Sequence, residues 1–190
     1  IIWLGEARDI LRKLPSVDSA EPVIVVAGSP NVGKSALIGA LSSGEPEVAA
    51  YPFTTKQLHL GHFMHRRRPY QMVDTPGLLD RPMEERNLIE MQAIAALENV
   101  GDVLVFLIDA SETGGTSLDE QLSLLREVRS LVTERPIIVA HSKSDLLKIT
   151  PVDAEYLLST VNGEGIEEFR AILIDIIGAD VIEDPLSLPD

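Results

Sequence analysis

Three short runs of apolar, largely β-branched residues form the clearest pattern along the chain. They cover residues 23–27, 103–108 and 136–140, and each is too short for a typical helix. Runs of this length without polar alternation are characteristic of strands buried on both faces of a sheet. The pattern therefore predicts three central strands, the last of which starts at a proline, where a strand tolerates one.

Apolar residues at helical spacing separate these strands. The spacing predicts five helices, at 4–14, 33–41, 84–97, 117–132 and 166–177. Weaker strand patterns occur at 58–64, 70–73 and 156–158. Strands that alternate with helices predict an α/β fold of three layers, in which helices cover both faces of a mostly parallel, six-stranded sheet with one antiparallel strand.

Length and composition indicate one globular domain with short additions. The chain has 190 residues, 45% of them hydrophobic, and it has no cysteine, so disulfides and thiolate metal sites are excluded. No apolar run approaches the roughly 18 residues of a membrane span. We predict a main domain at 21–178, preceded at 1–20 by a linker helix or the end of another helical domain, and followed at 179–190 by a tail. The start without methionine suggests a piece of a longer protein.

Acidic residues dominate the charge, and the formal net charge is −14. A free-standing nucleic-acid binder usually carries a basic face, so this balance favours the acidic surface of a cytoplasmic protein. The sequence His-Arg-Arg-Arg at 65–68 is a basic exception. A solvated hairpin tip is the favoured interpretation of so short a block, and an RNA contact is the alternative.

Residues 28–35 match the pattern G-x-x-x-x-G-K-[ST], directly after a predicted strand and before a predicted helix. Glycines let the backbone N–H groups of such a loop point at phosphates, assisted by the helix N-terminus. Lys34 would lie between the outer phosphates, and the Ser35 hydroxyl would bind Mg²⁺. A chance glycine-rich turn is the disfavoured alternative. The predicted phosphate-binding residues are Gly28, Ser29, Pro30, Asn31, Val32, Gly33, Lys34, Ser35 and Ala36.

Two further motifs follow in the order expected of a phosphoryl-transfer site. Asp74, at the end of a predicted strand, would hold Mg²⁺ through water, and the Gly77 N–H can meet the terminal phosphate. The segment 51–56 contains Thr54 and Thr55, of which Thr55 is expected to give a hydroxyl to Mg²⁺ and its N–H to the terminal phosphate. The alternative is that both threonines merely favour a strand. The predicted metal ligands are Ser35, Thr55 and Asp74.

A base-recognition motif follows the strand at 136–140. Guanine presents N1–H and an exocyclic amine as adjacent donors, and the Asp145 carboxylate can accept both, whereas adenine has the opposite pattern. Lys143 can lay its aliphatic stem along the purine. Ser142 stands where such motifs usually have asparagine, and we expect its shorter side chain to weaken the strut to the phosphate loop and lower the affinity.

A second loop is predicted to complete the base pocket. It starts at Ser159, Thr160 and Val161, and the Thr160 N–H is expected to reach guanine O6. An ordinary helix cap is the alternative.

These motifs, in this order, resemble the translation-factor-like phosphate-loop GTPases. The closer resemblance is to the Obg–Nog branch, and within it to the nucleolar GTP-binding (Nog) proteins in their archaeal form. It is carried by residues 7–15, 30–35, 51–56 and 74–82 and extends over about residues 4–178. The resemblance implies a GTP-hydrolysing switch, with GTP or GDP and Mg²⁺, in assembly of the large ribosomal subunit.

The resemblance also implies partners and a location. The partner would be the pre-ribosomal large subunit, both rRNA and ribosomal proteins, bound through a helical domain of which 4–14 would be the last piece. The location would be cytoplasmic, or nucleolar in a eukaryote. No membrane contact is expected, and the isolated domain is expected to be monomeric.

Two positions bear on how GTP would be hydrolysed. Leu78 stands where Ras-like proteins have a water-orienting glutamine, so slow intrinsic turnover is expected. Asn31 matches the asparagine that binds K⁺ beside the phosphates in potassium-activated relatives, and a loop-capping role is the equal alternative. The predicted catalytic residues are Asn31, Lys34, Thr55 and Gly77.

Other functions stay open at this point. Leu78 and Ser142 are compatible with a nucleotide-responsive binding module that hardly hydrolyses GTP. A related GTPase of tRNA modification, a transport GTPase and an ATPase are further alternatives. The four histidines, at 59, 62, 65 and 141, have no acidic partner nearby in sequence, and a mixed-face strand is favoured over a metal site.

Overall fold

The computed structural model describes residues 20–44, 47–50, 57–74, 101–147 and 155–182. The strands in these ranges are β1 (Val23–Ala27), β2 (Glu47–Ala50), β3 (Gln57–His65), β4 (Arg68–Asp74), β5 (Val103–Ile108), β6 (Ile137–His141) and β7 (Tyr156–Leu157). The helices are α1 (Lys34–Leu41), α2 (Leu118–Leu131) and α3 (Ile166–Ile182), with one 3₁₀ turn at Ser144–Leu146. The predicted helices at 4–14 and 84–97 lie outside the described residues.

All seven strands form one sheet in the order β2-β3-β4-β1-β5-β6-β7. β3 pairs antiparallel with β2 and β4, whereas the strands from β4 to β7 pair in parallel. The predicted α/β sheet, mostly parallel with one antiparallel strand, is therefore confirmed. The predicted count of six strands is wrong, because Glu47–Ala50 adds an edge strand by backbone pairing with β3. A Glu-Val-Ala-Ala sequence has little β-propensity, so its pattern does not predict a strand.

Two apolar cores cover the two faces of the sheet. Alternate residues of β1 enter opposite cores: Val23 and Val25 face one, while Ile24 and Val26 face the other. α2 packs on the first core, and α1 and α3 pack on the second. Because β1 is apolar at every position, it can be covered on both faces, and this central place in the sheet positions the loop that follows it.

α3 extends beyond its predicted end. It continues to Ile182, past residue 177 and into the predicted tail. A single glycine, Gly178, weakens a helix by only about 1 kcal/mol, and the first proline follows at Pro185. No helix among the described residues combines the length and apolar character needed to span a membrane.

A two-residue turn joins β3 to β4 at the predicted hairpin tip. His65 pairs with Arg68 across the hairpin, and the turn residues Arg66 and Arg67 have φ angles of 46° and 70°. The three arginines are exposed. The hairpin tip predicted at the basic sequence is therefore confirmed.

Candidate functional site

The predicted motifs meet at one edge of the sheet. β1, β4, β5 and β6 run in parallel and end at Ala27, Asp74, Ile108 and His141. Loops that follow parallel strands emerge at the same edge, where α/β proteins bind their ligands. The phosphate loop, Asp74 and the base motif are therefore neighbours in space, as the sequence predicts.

The phosphate loop curls tightly between β1 and α1. Gly28 has a φ of 135°, and a Cβ atom there would lie 2.6 Å from the Leu107 carbonyl oxygen, so no other residue fits without a shift. The Lys34 ammonium is buried inside the loop, where it donates to the carbonyl oxygens of Gly28 at 2.8 Å and Ser29 at 2.9 Å. α1 begins at Gly33 without a side-chain cap from the described residues. The loop thus presents a fixed cation and an uncapped helix start, both suited to an anion.

Asp74 lies where a cation would join that anion. Its side chain is 1% exposed, and Oδ2 accepts a 2.6 Å hydrogen bond from the Ser35 hydroxyl. No described residue donates to the other oxygen, Oδ1, although it is buried. A hydroxyl beside a carboxylate with an unused buried oxygen fits Mg²⁺, which prefers oxygen ligands.

His59 has an acidic neighbour that the sequence does not suggest. The β3–β4 register places His59 opposite Asp74, and its Nδ1 lies 3.5 Å from Asp74 Oδ2. The sequence places no acidic residue near His59, but the folded structure places Asp74 beside it. Among the described residues no three histidine, aspartate or glutamate side chains gather as a metal site.

Asp145 lies at the mouth of a pocket of about 290 Å³ beside the phosphate loop. The Ser159 hydroxyl, which is 0% exposed, donates to Asp145 Oδ1 at 2.6 Å. The same hydroxyl accepts from the Val161 N–H at 3.3 Å, so one side chain ties the two base loops together. The pocket is lined by Val32, Gly33, Ala36, Leu37, Leu107, Thr113, Ser142, Lys143, Asp145, Leu146, Leu158, Thr160 and Val161. An apolar slot with a carboxylate at its rim suits a purine.

Ser142 bridges the base loop and the phosphate loop directly. Its hydroxyl donates to the Val32 carbonyl at 2.6 Å and lies 3.3 Å from the Ile108 carbonyl. A serine therefore makes the strut that we expected it to weaken, because β6 brings its Cα close enough for a short side chain. The expected lower affinity stays a prediction.

We expect Ser142→Ala to destabilise the domain. The Val32 carbonyl would lose its donor in a buried place, which typically costs about 1–3 kcal/mol of unfolding free energy. Ser130→Ala is the matched control, because the Ser130 hydroxyl also donates to a carbonyl at 2.6 Å but is exposed on α2. Urea denaturation of both variants measures the difference, and equal midpoints would contradict the role of the strut.

Asp109, which follows β5, is a site residue that the sequence analysis did not identify. It is 0% exposed, and its carboxylate accepts from Lys143 Nζ at 2.6 Å, the Gly114 N–H at 3.0 Å and the Ser111 hydroxyl. Burial alone would raise the pKa of Asp109, but the hydrogen bonds from Lys143 and Ser111 outweigh burial and hold that pKa below its ordinary value. Asp109 thus stays ionised and fixes Lys143 beside the pocket.

The loop after Asp109 also reaches the phosphate loop. The Asn31 amide donates to the Gly114 carbonyl at 3.3 Å. Buried Gln121 of α2 anchors the start of the loop, with its carbonyl on the Asp109 N–H at 2.7 Å and its amide on the Asp109 carbonyl at 3.0 Å. Each of these residues has a signal in the sequence. Asp109 comes directly after an apolar strand, and Gln121 interrupts the apolar face of an amphipathic helix.

Thr54, Thr55, Gly77 and Leu78 lie outside the described residues. The described parts of the phosphate loop, Asp74 and the two base loops lie together at one edge of the sheet, and their role in binding a nucleotide stays a prediction. Val161 contributes its N–H and lines the rim, while its side chain is 84% exposed.

Comparison with known proteins gives a consistent family. A family model described as "50S ribosome-binding GTPase" matches residues 23–143. A Drosophila melanogaster protein named nucleolar GTP-binding protein 1 is 42% identical over 153 residues, which is 80% of this chain and 23% of that protein. An uncharacterized Methanocaldococcus jannaschii protein is 46% identical over 145 residues, 76% of this chain and 40% of that protein. The chain therefore spans less than half the length of these relatives.

Two solved structures have a similar fold, and one of them is also similar in sequence. The crystal structure of a Plasmodium falciparum protein described as nucleolar GTP-binding protein 1 superposes with a TM-score of 0.79 at 32% identity, covering 91% of this chain and 94% of that one. The G domain of the T. maritima FeoB iron transporter gives a TM-score of 0.66 at 24% identity over 82% of this chain and 98% of that one, a likeness of fold alone.

Proposed function

Because the chain belongs to the 50S ribosome-binding GTPase family, and within it to the nucleolar GTP-binding (Nog) proteins, we propose that it is the GTP-hydrolysing switch domain of a large-subunit assembly factor. The observation that carries the nucleotide part is the Asp145 carboxylate, held by Ser159 at the rim of a pocket beside the phosphate loop. One carboxylate at that position accepts from both N1–H and the exocyclic amine of guanine, whereas adenine has an acceptor and a C–H group at those two places.

The phosphates would occupy the loop between β1 and α1. The Lys34 ammonium, which now bonds to two carbonyls of that loop, is within reach of an anion seated there. Ser35 and Asp74 are the described residues that would hold Mg²⁺, and the unused Asp74 oxygen supports that role. Bound Mg²⁺ would neutralise charge that develops on the phosphate oxygens. Thr55 and Gly77 complete the proposed site as the groups that sense the terminal phosphate.

Involvement in ribosome assembly rests on the relatives. Their name, nucleolar GTP-binding protein 1, and the family description, "50S ribosome-binding GTPase", point to the large subunit. The experiment is co-sedimentation of the full-length protein that contains this chain, in its GTP-bound and GDP-bound states, with purified large subunits. Preferential binding of one nucleotide state supports an assembly switch, and equal absence of binding in both states contradicts it.

Asn31 is proposed to bind K⁺ during hydrolysis. Its amide nitrogen donates to the Gly114 carbonyl, and its amide oxygen would be the ligand for the cation. A cation beside the phosphates would supply positive charge that Leu78 cannot.

We therefore expect Asn31→Ala to lower K⁺-stimulated hydrolysis by at least about tenfold, since the loss of one group that stabilises transition-state charge commonly costs more than that. Single-turnover hydrolysis in K⁺ and in Na⁺, with GDP affinity as the binding control, measures the effect. If K⁺-dependent turnover survives in Asn31→Ala, the cation proposal is wrong. If neither K⁺ nor large subunits stimulate the unmodified chain, a nucleotide-responsive binding module replaces the enzyme.

A further inference from the structure

The hairpin of β3 and β4 carries a basic tip at the end of the sheet opposite to the nucleotide site. β4 runs from Arg68 at the tip to Asp74 at the site, seven residues that span roughly 20 Å. The first residue of β1, Val23, pairs with Gln71, so the hairpin continues three residues, about 10 Å, beyond β1. The tip therefore extends past the start of β1, with α3 alongside it.

The turn at the tip contains residues that its backbone geometry disfavours. Both turn residues have positive φ angles, a geometry for which Asn-Gly is strongly preferred because side chains strain the left-handed region. The chain instead has Arg66 and Arg67 there, and no hydrogen bond or ion pair with a described residue holds either guanidinium. Residues that the local backbone geometry disfavours are common at functional surfaces.

The neighbours of the tip leave its positive charge in excess. On the adjacent α3, Glu167 is already paired with Arg170 at 3.2 Å. Asp175 lines the groove between the hairpin and α3, together with Arg66, Arg68 and Arg170. Arg68 stacks on the Tyr70 ring, at 5.8 Å from its centroid, and stays exposed. Because the chain as a whole is strongly acidic, this group of arginines would attract an anionic macromolecule locally, over the roughly 8 Å at which salt screens charges.

We infer that the tip binds the phosphate backbone of RNA through Arg66 and Arg67, with Arg68 beside them. Contact with a phosphate chain requires clustered guanidiniums and little area, because counterion release supplies the affinity. An acidic protein surface would need a larger contact with an apolar centre. Met64, 59% exposed, is the single large apolar side chain exposed on the described part of the hairpin, so a protein partner is the less favoured occupant. The inference rests on the proposed ribosomal function for the source of the RNA.

The test is the double variant Arg66→Asn/Arg67→Gly, which installs the residues that this turn prefers. We expect it to keep or raise the melting temperature, which is measured alongside binding to distinguish lost binding from unfolding. The matched control is Arg126→Ala/Arg129→Ala, which removes two exposed arginines from α2. The probes are a 20-base-pair RNA duplex and purified large ribosomal subunits, titrated at several salt concentrations, with GDP affinity measured in parallel.

We expect the hairpin variant to bind both probes more weakly than the control variant, with the slope of log affinity against log salt reduced by about two and GDP affinity unchanged. Equal binding by the hairpin and control variants overturns the inference while leaving the ribosomal proposal standing. If the unmodified chain binds duplex RNA through the tip but not the subunits, the ribosomal proposal fails alone. Subunit binding that depends on the tip but is not competed by the duplex would assign the tip to a protein and overturn the RNA inference.

Discussion

Asp145→Asn is expected to exchange guanine recognition for xanthine recognition. The variant should lose about 10²- to 10³-fold in GDP affinity, because a neutral amide replaces the carboxylate that accepts both guanine donors. The Ser159 hydroxyl will keep its bond to Oδ1, so the new Nδ2 faces the base. This amide nitrogen can donate to the C2 carbonyl of xanthine. In the unmodified chain the Asp145 carboxylate repels that carbonyl oxygen.

The measurement is equilibrium titration of the unmodified chain and two variants with GDP, xanthosine diphosphate and ADP. Asp119→Asn is the matched control, since it removes one exposed aspartate from the first turn of α2 and should leave all three affinities unchanged. Undiminished GDP binding by Asp145→Asn would show that another group reads the guanine edge, and tight ADP binding by the unmodified chain would favour an ATPase.

Lys34→Ala is expected to remove nucleotide binding through the phosphates. The lost ammonium would make two or more charge-assisted bonds to them, each worth about 1.5–3 kcal/mol, so GDP and GTP affinity should fall by about 10²- to 10⁴-fold. Because Lys34 lies inside the loop and outside the base pocket, weak binding of guanosine, which has no phosphates, should not change.

Calorimetric titration with GDP and guanosine distinguishes the two ends of the ligand. The control Arg129→Ala removes one exposed cation without touching the loop. A parallel fall in guanosine affinity would mean that Lys34→Ala has collapsed the pocket, and unchanged GDP affinity would remove Lys34 from the phosphate site.

The parts of the site that sequence could predict are those fixed by local spacing. Residues 28–35 determine their own loop, and their place between a strand and a helix gives that loop a ligand. Asp145 is similarly identified by its neighbours and by the strand before it. The central strands were predictable for the same reason, because a short uninterrupted apolar run is typical of a strand buried on both faces.

The parts that sequence could not predict depend on distant pairing. Asp109 acquires its role from Lys143, 34 residues away along the chain, and no short pattern joins the two. His59 meets Asp74 only through the register of β3 and β4. The strand Glu47–Ala50 forms because β3 offers it an edge, a tertiary cause that outweighs weak local propensity.

The strut at Ser142 illustrates a third limit. Side-chain length alone suggested a weaker link than asparagine gives. The strength of the link depends on how close the two loops lie, and they lie close enough for the Ser142 hydroxyl to reach the Val32 carbonyl at 2.6 Å.

The short loop after Asp109 has a consequence for the energetics of binding. The Asp109 carboxylate, just before this loop, accepts from Lys143 at the base end of the site. The Gly114 carbonyl, within the loop, accepts from Asn31 at the phosphate end. Ordering at one end therefore lowers the entropy that remains to be lost at the other, so the free energies of binding base and phosphates separately should not sum to that of the whole nucleotide. Reciprocity requires the same coupling in both directions, which makes this loop the natural place to look for cooperativity within a single ligand.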